Sequence, residues 1–179
     1  LDLTWETLQH HRWTEQELAA MQQDWQRVNL SNALETGLLN SRATSEWMFN
    51  QIRSNGFKTT MRSVFPSGKG GEYWEDIKGL PASFIWNLNK EADELLSLHQ
   101  YQSALECARD FEKVPWPEIY ARETNRMDQF NQTVYGAARL AKYRYLVSAI
   151  AIPNLTKPSK VVAHHETLRR LTITAIALK

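Results

Sequence analysis

Histidine and carboxylate side chains stand together at one place in the chain, the run His164-His165-Glu166. A zinc-binding pair on a helix needs two histidines four residues apart, as in His-Glu-x-x-His, because only then do both rings project from one face. Adjacent helical residues instead point about 100° apart. We therefore expect both histidines to be hydrogen-bonded and partly buried in the core, and we predict no metal site.

A glycine-rich run, Ser67-Gly68-Lys69-Gly70, is superficially similar to a phosphate-binding loop. A Walker motif, G-x-x-x-x-G-K-[ST], requires serine or threonine directly after the lysine. That position holds Gly70 in this chain. The sequence therefore predicts neither a nucleotide site nor any other cofactor here.

Carboxylate and thiol chemistry has equally little support. Glu91, Asp93 and Glu94 fall on one predicted helix, but the Glu-x-x-His pairing of di-iron bundles is absent, so we expect a solvated face. Cys107 falls on the packed side of its helix, where a free cysteine behaves as a small hydrophobe. The sequence predicts no catalytic residue.

The elements that would position any site are predicted to be helices. The chain has 179 residues, of which 42% are hydrophobic and 23% charged, the profile of a globular protein. Apolar residues recur at helical spacing, and no segment shows sustained period-two alternation. We predict an all-α fold in one domain, 1–179, with five to seven helices in antiparallel hairpins that form a bundle or short array. The glycine-rich segment 56–71 is predicted to be a long loop or an internal boundary.

Capping signals place the first two helices. Thr14 and Glu17 form a capping box, so the first helix should begin at Thr14. Ser31 is predicted to cap a second helix that ends at Asn55-Gly56, and the two helices are predicted to form a hairpin.

The remaining helices are predicted from apolar stripes. One should start at Pro81 and break near His99-Gln100, with another from Tyr101 to Pro115. A long central helix is predicted over about 119–152. The last helix should start near Ser159 and pack through Val161, Leu168, Leu171 and Ala175.

The candidate interaction surface follows from the charge distribution. From Arg139 onward, eight lysines and arginines oppose one acid, Glu166, a net charge of +7 in a chain whose total is +1. We expect the acidic middle helices to neutralise this charge, through Glu91, Glu94, Glu118 or Glu123, so that nucleic acid is not a partner. On the solvent face of the predicted central helix, the residues available to a protein partner are Tyr135, Arg139, Lys142 and Tyr143.

Two resemblances complete the prediction. The segments 13–30, 34–43 and 165–179 resemble a group of uncharacterised bacterial proteins that carry a membrane-anchoring helix ahead of a helical domain. The resemblance implies an extracytoplasmic or periplasmic, membrane-anchored protein, and it supplies no catalytic residue. Residues 81–117 resemble one tetratricopeptide-like helical hairpin.

The chain is expected to be a fragment of a longer protein, because it begins at Leu1 and its last helical pattern runs to Lys179 without a terminating residue. Any membrane contact should come through a segment outside it, since no run of 18 apolar residues occurs. Two functions stay open. One is a non-catalytic interaction or scaffold domain of a cell-envelope protein. The other is an enzyme of unrecognised type, with its site near 56–71 or in a missing C-terminal part.

Overall fold

A computed structural model describes residues 6, 12–64, 80–111, 113–136, 141–152 and 155–178. Within these ranges the chain is all-α, as predicted, and contains no strand. The described helices are α1 (Glu15–Arg27), α2 (Leu30–Asn55), α3 (Phe57–Val64), α4 (Leu80–Arg109), α5 (Trp116–Tyr135), a 3₁₀-helix (Ala141–Tyr145), α6 (Leu146–Ala151) and α7 (Thr156–Ala177). Five of these have 13 or more residues, so the number of helices also agrees with the prediction.

Helix α1 begins where its capping box predicts. The Thr14 hydroxyl accepts a hydrogen bond from the Glu17 amide at 3.3 Å, and the Glu17 carboxylate accepts one from the Thr14 amide at 2.9 Å. Leu18 is buried against Ile176 of α7. The predicted hairpin of α1 with α2 is therefore wrong, because α1 packs chiefly against the last helix. Two residues in extended conformation, Val28 and Asn29, redirect the chain between α1 and α2.

Helix α2 starts two residues earlier than predicted and ends as predicted. Asn29 rather than Ser31 is its N-cap, with the Asn29 Oδ1 accepting from the Asn32 amide at 2.8 Å. Asparagine caps a helix as well as serine does, so the earlier residue takes the position. The helix ends at Gly56, whose φ of 81° is one that glycine adopts without strain. Helix α3 then occupies 57–64, the first part of the predicted loop, and 65–71 lie outside the described residues.

Helix α4 is one continuous helix of 30 residues, so the break predicted near His99-Gln100 is wrong. Gln100 is buried, and its side chain and carbonyl oxygen accept hydrogen bonds from Arg126. Gln100 can therefore lie inside the helix, because its polar side chain is hydrogen-bonded in the protein interior. Residues 81–117 are consequently not a helical hairpin of the tetratricopeptide type.

The long central helix predicted over 119–152 is also wrong. Helix α5 ends at Tyr135, and the chain continues after Gly136 into the 3₁₀-helix and the short helix α6. A Cβ atom added at Gly136 would collide with the carbonyl oxygen of Gln132, so this tight ending requires glycine.

Helix α4 separates two core clusters and contributes to both. The first joins α2, α4, α5 and the start of α7, and its members include Leu38, Tyr101, Leu105, Phe130, Val134 and Leu155. The second joins α2, α3, α4 and α6, through Met48, Phe49, Ile52, Phe57, Trp86, Leu146 and Val147. Between them α4 buries a polar row, defined as Asp93, Ser97 and Gln100.

Helix α7 packs through a different face from the one predicted. The buried residues of α7 are Ser159, Ala163, Thr172 and Ile176. Val161 and Leu171, expected in the core, are 54% and 55% exposed. The prediction is therefore wrong for Val161 and Leu171, whereas Leu168 and Ala175 are partly buried.

Candidate interaction surfaces and the buried polar row

The interaction surface predicted from sequence is not assembled as one helical face. Tyr135 ends α5 with an exposed side chain, whereas Tyr143 lies in the 3₁₀-helix and packs, partly buried, against the second core cluster. The glycine break between them removes the continuous helix on which the prediction depended. Arg139 and the side chain of Lys142 lie outside the described residues.

Most of the acidic residues expected to neutralise the basic C-terminal third form ion pairs with other arginines. Glu94 pairs with Arg53, and Glu118 pairs with Arg122. Glu123 pairs with Arg126, and Glu91 is exposed. Three of the four expected acids thus pair with arginines that precede the basic third.

The structure also describes the two histidines and the cysteine that the sequence offered as candidates for chemistry. His164 and His165 are both exposed, which corrects the expectation of partly buried core histidines, and His165 bonds through Nδ1 to the Val161 carbonyl at 2.8 Å. Cys107 is buried, as expected, and burial raises the pKa of its thiol. A thiol with a raised pKa is a poor nucleophile at neutral pH.

Asp93 was expected on a solvated face and is instead completely buried. Its carboxylate accepts hydrogen bonds from the Trp86 indole at 2.7 Å, the Val147 amide at 2.8 Å and the Ser148 amide at 3.0 Å. The Ser148 hydroxyl also donates to the Asp93 carbonyl oxygen at 2.8 Å. These two amides belong to the first turn of α6, whose own N-cap, Tyr145, makes no side-chain cap. Asp93 therefore caps α6 from a different helix.

Burial raises the pKa of Asp93 above its ordinary value, and the hydrogen bonds from Ser148, Trp86 and Val147 oppose that increase. The Trp86 indole and the Val147 and Ser148 amides all donate to this carboxylate and are therefore not available to a ligand.

The same polar row continues at Ser97, whose hydroxyl bonds to that of Ser45 on α2 at 2.9 Å. This part of the row fixes how α2, α4 and α6 pack, and it presents no group to a substrate.

Glu123 on α5 is the second completely buried carboxylate. Its Oε1 lies 3.6 Å from Nη2 of Arg126, and among the described residues neither carboxylate oxygen accepts a hydrogen bond. Arg126 donates from Nη1 to Gln100 at 2.8 Å and is 9% exposed. Burial raises the pKa of Glu123, while the positive charge of Arg126 acts in the opposite direction. The pair is sealed between helices and is not accessible to a ligand from solvent.

An open cleft of about 270 Å³ lies between the start of α2 and the middle of α7. Glu166, Arg169 and Arg170 line it, together with Phe111. Glu166 accepts hydrogen bonds from Arg169 at 2.8 Å and Arg170 at 2.7 Å, and these bonds, from Arg169 first, hold its pKa below the ordinary value. A carboxylate held ionised in this way cannot act as a general acid near neutral pH.

Apolar side chains dominate the solvent side of the first half of α4. Phe84, Leu88 and Leu95 are 65%, 71% and 56% exposed, and their spacing places them on one stripe with the exposed Glu91. We call these four residues the α4 face. In the second half of the helix the same side is polar, with His99, Gln102 and Glu106 exposed.

Helix α7 carries a similar exposed stripe. Val161 and Leu171 are more than half exposed, Leu168 is partly buried, and His164 is exposed between them. We call these four residues the α7 face. Sequence reasoning found the residues of this stripe but assigned them to the core. On α4, apolar residues on every side of the helix are the signal that an exposed stripe coexists with a buried one.

Comparison with protein-family models, with curated proteins and with solved structures finds no match to the chain. The described residues include no group of three or more His, Cys, Asp or Glu side chains that could hold a metal ion. Among the helices described, none is long and apolar enough to cross a membrane.

Proposed function

We propose that the chain is a non-catalytic helical interaction domain that binds another protein. The observation that carries the proposal is the α4 face, because it is an exposed apolar stripe on a helix whose opposite side already supplies the core. Contiguous exposed apolar surface bordered by polar residues is typical of protein-binding sites.

The borders of the α4 face support the same proposal. On one side Glu94 pairs with Arg53, and on the other Asn89 accepts a hydrogen bond from Arg144 at 3.1 Å. An apolar centre with a polar rim is the usual anatomy of an interface. An enzyme would instead need accessible ionisable groups with a pKa near neutrality. The buried carboxylates Asp93 and Glu123 and the ionised Glu166 do not meet that requirement.

Anchoring at the bacterial cell envelope, through a segment outside this chain, is a further part of the proposal. It rests on the resemblance of residues 13–30, 34–43 and 165–179 to membrane-anchored bacterial proteins. Fractionation of cells that produce the full-length protein, followed by protease treatment of intact spheroplasts, tests it. Recovery in the soluble cytoplasmic fraction would contradict it.

A photo-crosslinking residue placed at position 88 of the full-length protein in cells tests the interaction. Gln102 is the matched control, because it is exposed on the same side of α4 in the polar half. We expect a discrete adduct from position 88 and none from position 102, and the adduct should form again with the purified partner identified from it. Equal yields from both positions would contradict the proposal.

A further inference from the structure

The buried pair of Glu123 and Arg126 holds four polar atoms that have no hydrogen-bond partner among the described residues. They are both carboxylate oxygens of Glu123 and the Nε and Nη2 atoms of Arg126. Glu123 is completely buried and Arg126 is 9% exposed, so these atoms lie away from bulk solvent. We propose that the pair is a binding site for an internal water molecule, which lies between the two side chains and hydrogen-bonds to both.

The two charged groups lie slightly too far apart to bond directly. Oε1 of Glu123 and Nη2 of Arg126 are 3.6 Å apart, whereas a direct hydrogen bond between such groups is about 2.8 Å long. At separations beyond about 3.5 Å, a bridging water can take the place of the direct bond. Two hydrogen bonds of about 2.8 Å span the distance when the water lies to one side of the line that joins the two atoms.

The free atoms determine which kind of molecule fits the site. Arg126 uses Nη1 to donate to the Gln100 side chain at 2.8 Å, and its Nε and Nη2 atoms are the donors that remain. A guanidinium group only donates, and an ionised carboxylate only accepts. The bound molecule must therefore accept from Arg126 and donate to Glu123. Water does both, whereas Glu123 would repel an anion and Arg126 would repel a cation.

The cost of burying polar groups favours the bound water. Buried polar groups are almost always hydrogen-bonded, because a buried group without a partner has lost its bonds to solvent and gained none in return. Internal waters occur at roughly one per 27 residues and typically make about three hydrogen bonds to such groups. Asp93 provides the contrast, since three protein donors already bond to its carboxylate.

A crystal structure of the chain, at a resolution where ordered waters are visible, tests the proposal directly. We expect a water within about 3.2 Å of a Glu123 carboxylate oxygen and of Nε or Nη2 of Arg126. The Asp93 carboxylate is the internal control, and no water should contact it. Direct contact of Glu123 with Arg126 at about 2.8 Å, without a water between them, would overturn the proposal. A protein group bonded to these atoms in place of the water would overturn it as well.

Oxygen-17 relaxation dispersion of the solvent provides the matching measurement in solution, because it counts water molecules that stay bound for a long time. A water sealed between helices leaves only when the structure opens locally, so it should be long-lived. We expect Glu123→Leu with Arg126→Leu to lose at least one long-lived water relative to the wild type. Glu91→Ala, which changes an exposed carboxylate, should keep the wild-type number.

Glu123→Gln should also keep the bound water, because the glutamine side chain retains an oxygen that accepts a hydrogen bond. Equal numbers of long-lived waters in the wild type and the double leucine variant would overturn the proposal. If the double variant does not fold, the crystal structure of the wild type decides between a bridging water and a direct ion pair.

Discussion

Helices α1 and α4 divide their polar and apolar residues in opposite ways. In α1, Leu18 is buried and the exposed side is rich in glutamine and glutamate, as in an ordinary amphipathic helix. In α4, Asp93 is completely buried while Leu88 is 71% exposed. Burying a carboxylate is costly unless donors surround it, and exposing leucine adds nothing to the core. The comparison separates residues of α4 that hold the fold from residues that are free to serve a partner.

The largest effect is expected at Asp93, on the buried side of α4. Asp93→Ala leaves the Trp86 indole and the Val147 and Ser148 amides without an acceptor in the interior. Each buried unsatisfied donor is costly, so we expect a loss of about 4 kcal/mol in the free energy of unfolding, measured with urea. The control is Glu91→Ala, on the exposed side of the same helix, which should change stability by no more than about 0.5 kcal/mol. Similar losses of stability in both variants would contradict the contrast between the buried and the exposed side of α4.

The second-largest loss of stability is expected at the buried pair of Glu123 and Arg126, which bonds to the polar row through Gln100. Arg126→Ala leaves the Glu123 carboxylate buried without its counter-charge, and we expect a loss of about 3 kcal/mol. Replacing both residues with leucine should cost less than Arg126→Ala alone, because no buried charge then remains. Chemical unfolding of the single and double variants measures both. A double variant that is less stable than the single one would show that the pair stabilises the fold by itself.

The pH dependence of stability tests the same pair. Burial raises the pKa of Glu123 above its ordinary value of 4.5, so the folded protein holds this proton more tightly than the unfolded chain. The contribution of Glu123 to stability is therefore complete below that value and is lost as the pH rises through the folded pKa. We expect the wild type to lose stability relative to Glu123→Gln as the pH rises above 4.5, measured by urea unfolding of both. A difference that stays constant, or that grows in favour of the wild type, would contradict this direction.

A smaller effect is expected at the start of α1. Thr14→Ala removes the side-chain acceptor of the capping box and should cost about 1 kcal/mol. Thr44→Ala is the matched control, because Thr44 is exposed inside α2, where alanine favours the helix. Thermal unfolding of the two variants should therefore differ. Equal melting temperatures would show that the capping box does not stabilise α1.

Sequence reasoning succeeded where local chemistry decides the structure. The capping box at Thr14 and the glycine at Gly56 act within a few residues, so the start of α1 and the end of α2 were predictable. The all-α class followed from helical spacing over the whole chain. Asn29 displaced the predicted cap of α2 because two equally good caps stand close together, and propensity does not rank them.

Sequence reasoning failed where tertiary contacts override the pattern. Gln100 looked like a helix boundary because its buried partner, Arg126, is 26 residues away. Asp93 looked solvated because the α6 amides that it caps are more than 50 residues away. The α4 face could not be told from a core stripe, since periodicity shows which residues share a side but not which side meets the protein.

The smallest effect on stability tests the central claim, that the α4 face is free for a partner and is not required for folding. The measurement is the free energy of unfolding of the isolated, dilute chain with Phe84, Leu88 and Leu95 all changed to serine. We expect a change of no more than about 1 kcal/mol, because these side chains already lie mostly in solvent. A loss of several kcal/mol, as large-to-small changes in a packed core produce, would show that the α4 face belongs to the fold and would contradict the account.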